Sequence, residues 1–563
     1  MIIEHQKALI IKVQKNIGKD NHSNSSIIKG LENVPGFRKE LLEEPYVIFL
    51  HQELRKTTDM VFELSDQLEE LKAELRQLKK LPKKPKIKPS NLDKSNPKGG
   101  KGKQGKTGKR KKKENLRIHD TKDIKLADPP KGWKLVGYKS CIIQDIIVRA
   151  HNIEYKLEKW QSPDGAQTQI AVMPQHLQNT HFGAQLKAYI LHQYHECVVT
   201  QPLILSSLRD FGVDISSGQI SAILTENKEE FHAEKETLLS KGIELSEELR
   251  TDDTGAKHRF KNGFCNCINS SLFTYFTTTY SKSRINFLEI LRQGRNEYHI
   301  NKESLSYIEN ERLTAKYCQI LRQSYDEGQR VIKGKTDLED YFKSKGITAQ
   351  YAKRQITEAL LIGTIVEYGF DPNTVIHSDG ARQFNIFVHS LCWKHAERPL
   401  VKLKYYNPVQ QAQLESKKAE FWLLYQRLKR YKEKPDKKIA LQLSQKFDKL
   451  CEPIVNFAAL NHVLDELKKK KDQLLVVLNR PTTSLHNNDS ERDIREYVKR
   501  RKISAGTRSD NGKKARDTFL SLKKTCRKLD VSFWEYLNDR LKQSNLIPPL
   551  SQIMLQKHQL SLG

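Results

Sequence analysis

The sequence predicts a multidomain α+β protein, and three observations carry that prediction. An apolar heptad near the N-terminus gives way to a long Lys- and Gly-rich stretch, which separates one body from the next. From Leu249 a run of β-branched and aromatic residues reads as consecutive strands. Beyond it, short strands alternate with long amphipathic helical stretches. The formal net charge of +30 sits in blocks and points to a polyanionic partner, a merely soluble basic protein being the alternative. Eight cysteines without a Cys-x-x-Cys pair imply no disulfide framework and a reducing compartment. No apolar run is long enough to span a bilayer and no signal-peptide pattern is present, so a cytoplasmic protein away from membranes is expected.

Residues 1–50 are weakly patterned. Over 51–81, Leu54, Val61, Leu68 and Leu75 occupy one seam position and Leu64, Leu71 and Leu78 the other. This spacing predicts a dimerising coiled coil, or else a helix packed on its own domain. Pro82 and Pro85 end it and open a basic linker over 82–130, which cannot bury apolar surface. Lys109, Arg110, Lys111, Lys112 and Lys113 in that linker are candidates for phosphate contact without base reading.

Residues 131–175 read as a small β module with strands at Trp133–Tyr138, Ile142–Arg149, Tyr155–Trp160 and Gln167–Val172, and a turn at Pro163-Asp164-Gly165. Residues 176–248 are expected to be helical. Leu203 to Phe211, then Gly212 and Ser216/Ser217, then Gly218 to Glu230 have the residue types of a helix-turn-helix. Its core would be Leu203, Leu205, Leu208, Phe211, Ile220, Ile223 and Leu224, with Gln219, Ser221 and Asn227 as candidate DNA readers.

The largest predicted domain is 249–545, with helical insertions at about 292–370 and 400–480. Its first strand is expected to end at Asp252-Asp253-Thr254-Gly255, and further strands to span Phe264–Ile268, Leu272–Tyr280, Thr374–His377 and Phe387–Leu391, with a helix at Ile285–Leu291. Cys265 and Cys267 alternate along one strand and read as core residues, a zinc site with Cys392 and His395 being the alternative. Residues 513–543 should form a helix pair, with Phe519, Leu522, Phe533, Trp534 and Leu537 closing the core; 546–563 reads as a tail.

Three polar stretches stand out within this domain. Asn487-Asn488-Asp489-Ser490-Glu491-Arg492 looks like a helix start, with Asn and Ser as caps. It leads into an amphipathic segment carrying Arg495, Lys499, Arg500, Arg501 and Lys502, followed by a Gly-containing loop, Ser504–Ser509, expected near the carboxylate. A carboxylate in the first turn of such a helix can hold a metal ion while the cations hold a polyanion against it. Thr251-Asp252-Asp253-Thr254-Gly255 and His377-Ser378-Asp379-Gly380 supply further carboxylates at strand edges.

These motifs, with Cys392-Trp393-Lys394-His395, resemble the signatures of the IS66 family of bacterial insertion-sequence transposases. The resemblance covers roughly residues 50–540 and departs at Asp253, where the family usually has Glu. It also departs around Cys141, where the family's cysteine-rich zinc finger lacks its ligands, so no zinc is expected. It implies an RNase H-like α/β catalytic core in which Asp252, Asp379 and Glu491 hold two Mg²⁺ (or Mn²⁺) ions about 4 Å apart for phosphodiester hydrolysis and transfer. Asp252 would bridge both ions, and Asp379 and Glu491 would hold one each. His395 could be a proton shuttle, a phosphate contact or a structural hydrogen-bonder, the last preferred. The implied partners are double-stranded DNA through Arg492, Arg495, Lys499 and Lys502, a homodimer or higher synaptic complex, and small companion proteins of the same element. An RNase H-like nuclease or integrase without insertion activity, or a silent transposase-derived DNA-binding protein, are the alternatives.

Overall fold

A computed structural model describes residues 118–125, 132–173, 178, 180–311 and 313–562. The segment 1–50, the expected coiled coil and Lys109–Lys113 lie outside the described residues. The described residues divide into two compact units, 118–172 with 205–216, and 173–204 with 217–562.

In the smaller unit only two of the four expected strands form. β1 (Lys159–Gln161) pairs antiparallel with β2 (Thr168–Ile170) across a turn in which Gly165, at φ +71°, donates its N–H to Ser162 O at 2.9 Å. The strands expected at Trp133–Tyr138 and Ile142–Arg149 are absent. Their apolar side chains stand in solvent, Val136 and Ile143 included. Alternation alone does not make a strand; it also needs a ladder partner and an apolar face to cover.

The larger unit begins with helices α1 (Ala184–His195), α2 (Gln201–Asp210, whose first residues belong here), α3 (Ser217–Thr225) and α4 (Glu229–Glu244). The turn after α2 has Gly212 at φ +81°. Two details of the helix-turn-helix reading are corrected. Leu203 is exposed and Ile204 takes the buried position, because the inward face falls one residue later. The second helix stops at Thr225, and Asn227, at φ +54°, lies between α3 and α4 rather than on a reading face.

The centre of the larger unit is a five-stranded sheet in the order β5-β4-β3-β8-β9. β3 (Glu248–His258), β4 (Lys261–Asn269) and β5 (Thr274–Thr279) form an antiparallel meander, while β8 (Val375–Ser378) and β9 (Val388–Leu391) run parallel to β3. The Asp252-Asp253 motif lies in the middle of β3, not at its end, since β4 keeps pairing with it to His258.

Between β5 and β8 come α5 (Arg284–Leu291), α6 (Lys302–Asn310), α7 (Ala315–Asp326), α8 (Gly334–Ser344) and α9 (Gln350–Glu367). This segment was expected to be purely helical, but it contains a ribbon, β6 (Glu297–His299) with β7 (Val331–Lys333), too short to leave a period-2 signal. After β9, α10 (Trp393–Ala396) leads to the helical insertion, chiefly α11 (Pro408–Tyr431), α12 (Lys437–Leu450) and α13 (Ala458–Lys468). Trp393 is fully buried in that insertion's core beside Phe421, Tyr425 and Phe447. Its indole N–H donates to Leu474 O at 2.9 Å.

The chain closes with α14 (Asn488–Ser504), α15 (Asp510–Lys528), α16 (Phe533–Lys542) and α17 (Leu550–Leu562). α14 and α15 cover one face of the sheet, with Ile494, Tyr497 and Leu520 packed on Ala256, Cys265, Cys267 and Phe276. Cys265 and Cys267 are therefore core residues. The expected tail is a helix, because Leu550 and Met554 find buried places and Leu550 N–H donates to Glu234 on α4. Trp534 remains 39% exposed, its ring edge-on to His192, so it does not close the core as expected.

Candidate active site

The register of two parallel strands sets Asp252 beside Asp379. Arg250 on β3 lies opposite His377 on β8. Two residues further along come Asp252 on β3 and Asp379, the first residue past the end of β8. β8 stops at Ser378 while β3 continues, so Asp252 stands where its parallel neighbour ends. The exit after Asp379 needs its glycine: Gly380 has φ +98°, and a Cβ there would lie 3.2 Å from Leu391. Ser378 Oγ, hydrogen-bonded to His389 at 2.8 Å, accepts Gly380 N–H and holds that exit.

Asp252 pairs across β4 with Cys267 and shares the sheet face with Ala256, the face that α14 covers. Asn487 precedes α14 but makes no side-chain cap. Its side chain instead donates to Thr251 O at 2.9 Å, and its backbone N–H donates to Cys392 Sγ at 3.3 Å. Arg250 forms an ion pair with Asp489. These ties bring the first turn of α14, with Glu491, to the Asp252 end of the sheet. Asp253 falls on the opposite face, where Gln383 Nε2 donates to it at 2.6 Å.

The electrostatics register the gathering. The Asp252 carboxyl is pushed up to about 7, first by burial and then by Asp379, with Asp253 and Glu491 adding to it. Glu491 Oε1 is buried without a hydrogen-bond partner. Lys394 Nζ stands 3.4 Å from Glu491 Oε2, and His395 Nε2 stands 3.8 Å from Oε1. A carboxyl raised by burial and acidic neighbours, with an unpartnered buried oxygen on Glu491 beside it, is part of a donor set that fits a hard divalent cation. Asp252, Asp379 and Glu491 could hold it. Cys392, His395 and Glu491 also place one donor atom each within 4.8 Å of the others. His395 does not have the satisfied hydrogen bonds of the structural role preferred for it: its Nδ1 is buried and unpartnered, and burial together with Arg398 lowers its pKa.

The turn of α14 sorts its charges. Ser490, Asp493, Ile494, Tyr497 and Arg500 are buried, whereas Arg495, Lys499 and Lys502 are exposed on the side that carries Glu491, with Arg492 at its edge. Two expected cations are taken out of that set. Arg500 stacks 3.4 Å over the Tyr194 ring and donates to Tyr194 O, and Arg501 bonds to Gly255 O. The loop Ser504–Ser509 lies at the far end of β3, not at the carboxylates: Thr507 pairs with His258, and a Cβ on Gly506 would sit 2.4 Å from Lys257 O. Gln219 is exposed in the first turn of α3, apart from the carboxylates. Lys394 and the bridging role of Asn487 were missed; both lie inside motifs that had been singled out for other residues.

The family model for the IS66 transposase family matches residues 349–515, a stretch that includes Asp379, Cys392–His395 and Glu491. An uncharacterized protein of Sinorhizobium fredii (strain NBRC 101917 / NGR234), y4jO, is 38% identical over 323 residues, which is 57% of this chain and 100% of the relative. No solved structure matches the chain. The protein is of the transposase type, with a mixed sheet and acidic residues gathered at its central strand, where β8 ends beside β3. The chain belongs to the IS66 transposase family. Among the described residues no helix is long and apolar enough to cross a membrane.

Proposed function

We propose that this chain is a DDE transposase that binds the terminal inverted repeats of an insertion sequence, cleaves DNA strands there and transfers them to target DNA. The observation that carries the reading is the meeting of Asp252, Asp379 and Glu491 from two parallel strands and a helix, with the Asp252 carboxyl pushed up to about 7 by burial and its neighbours. The strand order, with β3 antiparallel to β4 and parallel to β8, supports an RNase H-like core. Bound Mg²⁺ or Mn²⁺ would activate the attacking oxygen and stabilise charge at the scissile phosphate. Asp252, Asp379 and Glu491 would hold the metal, and Arg492, Arg495, Lys499 and Lys502 draw the DNA backbone along α14. With water as nucleophile one strand is cut and a 3′-hydroxyl is freed; with that hydroxyl as nucleophile the strand is joined to target. A homodimer or higher synaptic complex in the bacterial cytoplasm, aided by companion proteins of the element, fits paired cutting of two ends.

The test is cleavage of a labelled duplex carrying the element's own end. Wild type nicks it with Mg²⁺ or Mn²⁺, and Asp252→Ala, Asp379→Ala and Glu491→Ala each lose at least about a thousandfold in rate while still binding DNA. Cleavage that survives any one of these substitutions removes that residue from the site.

A further inference from the structure

The turn joining β3 to β4 has no structural reason for its second residue, Phe260. His258 pairs with Lys261, so Arg259 and Phe260 alone make a two-residue hairpin turn, with φ +48° and +64°. Such turns take Asn-Gly or similar pairs, because a side chain at positive φ is strained. Here the second residue is phenylalanine, 92% exposed and therefore packed on nothing.

The tip is nevertheless held firmly. Arg259 N–H donates to Thr507 O at 2.9 Å, and Thr507 N–H donates to Lys257 O at 3.0 Å. His258 is hydrogen-bonded to Thr507 Oγ1 and Asp510, each at 2.9 Å, and Arg259 pairs with Asp510 at 2.5 Å. Gly506 allows this approach, since any Cβ would strike Lys257 O. Lys257, Arg259 and Lys261 flank the turn and are exposed, and Tyr280, 52% exposed, lies beside His258.

An exposed aromatic ring on a rigid mount, ringed by cations, is what stacking on a nucleic-acid base between phosphates requires. We infer that Phe260 is a wedge that stacks on an unpaired or unstacked base of bound DNA, with Lys257, Arg259 and Lys261 on the flanking phosphates. This inference rests on the DNA-cutting reading above and adds a contact to it. β3 carries the tip roughly 20 Å beyond Asp252 at about 3.3 Å per residue. A duplex that runs along β3 with its scissile phosphate at the carboxylates would meet the ring roughly six base pairs from the cut, at about 3.4 Å per pair.

The experiment uses the full chain without divalent metal and two end-labelled duplexes of about 30 base pairs, one fully paired and one with a single central unpaired thymine. Wild type binds the bulged duplex on the order of tenfold more tightly. Phe260→Ala erases that preference and leaves affinity for the paired duplex within about twofold, while Phe260→Trp restores it. Phe260→Gly also loses the preference but raises Tm, because glycine relieves the strained turn; a merely structural role would not separate the two readouts. Binding of the paired duplex with no preference in wild type, or a preference that survives Phe260→Ala, overturns the wedge and leaves the cutting function standing. Failure of wild type to bind either duplex overturns both.

Discussion

Asp493, buried on α14, and Asp252, half-buried on β3, behave in opposite ways. Asp493 lies on the covered side of the helix and has a full set of partners. Thr274 Oγ1 and Asn269 Nδ2 donate to it at 2.8 and 3.1 Å, and Lys524 and Lys528 stand 3.2 and 3.3 Å away. Burial pushes its carboxyl up, but Lys528 and Lys524 outweigh that and hold it below the usual range. Asp252, one strand away, has acidic neighbours and is pushed up to about 7. The comparison teaches that burial alone does not set a carboxyl's charge: Asp493 has its charge answered by two lysines, and Asp252 has acidic neighbours that oppose its charge.

The largest effect should come from breaking the answered charge. Asp493→Ala leaves two buried ammonium groups unpaired and should cost about 3–5 kcal/mol, read as a fall in the urea midpoint with an unchanged slope. A loss below 1 kcal/mol would mean that the network does not hold α14 to the sheet.

Asp252 should respond in the reverse sense. Its folded-state pKa is raised from 3.8 to about 7, so its contribution to stability is complete below about pH 4 and is lost as pH rises through 7. In EDTA, Asp252→Asn should be more stable than wild type at pH 8, on the order of 2–4 kcal/mol, and indistinguishable from it at pH 4. Mg²⁺ should raise the Tm of wild type at pH 8 but not that of the variant. A difference between the two proteins that does not change with pH would refute the shared-charge account.

Asn487→Ala removes the bond to Thr251 O, the tie that brings Glu491 to β3. A loss of about 1–3 kcal/mol is expected, with the cleavage rate falling further than stability alone explains. The smallest effect should come from the exposed side of α14. Arg495→Ala and Lys499→Ala should leave stability within about 0.5 kcal/mol and lower the salt dependence of DNA binding by about one unit of slope each.

Much of this was legible in the chain. The β-branched run placed β4 and β5, and the polar motifs marked the three carboxylates. The paired cysteines read as core because two-residue spacing on a strand sets both on one face. What misled was local pattern without context. Trp133–Arg149 has strand-like residues and no sheet to join. Asn487 has the chemistry of a cap and is used as a bridge. Arg500 belongs to a cationic run and is buried against Tyr194. Leu550 and Met554 looked like a tail because an isolated helix of that length gives no sign of the groove waiting for it.

The sequence by itself determined the strands of the central sheet, the basic character and the family, because these rest on residue type and short-range spacing. Only the tertiary structure decided which acid answers to which charge. Asp252 and Asp253 are adjacent in sequence and face opposite sides of one strand; Glu491 and Asp493 are two residues apart and face opposite sides of one helix. A carboxylate's pKa depends on burial and on charges within a few ångströms; for Asp252 these include Asp379 and Glu491 from distant segments, and for Asp493 they are Lys524 and Lys528 on the next helix.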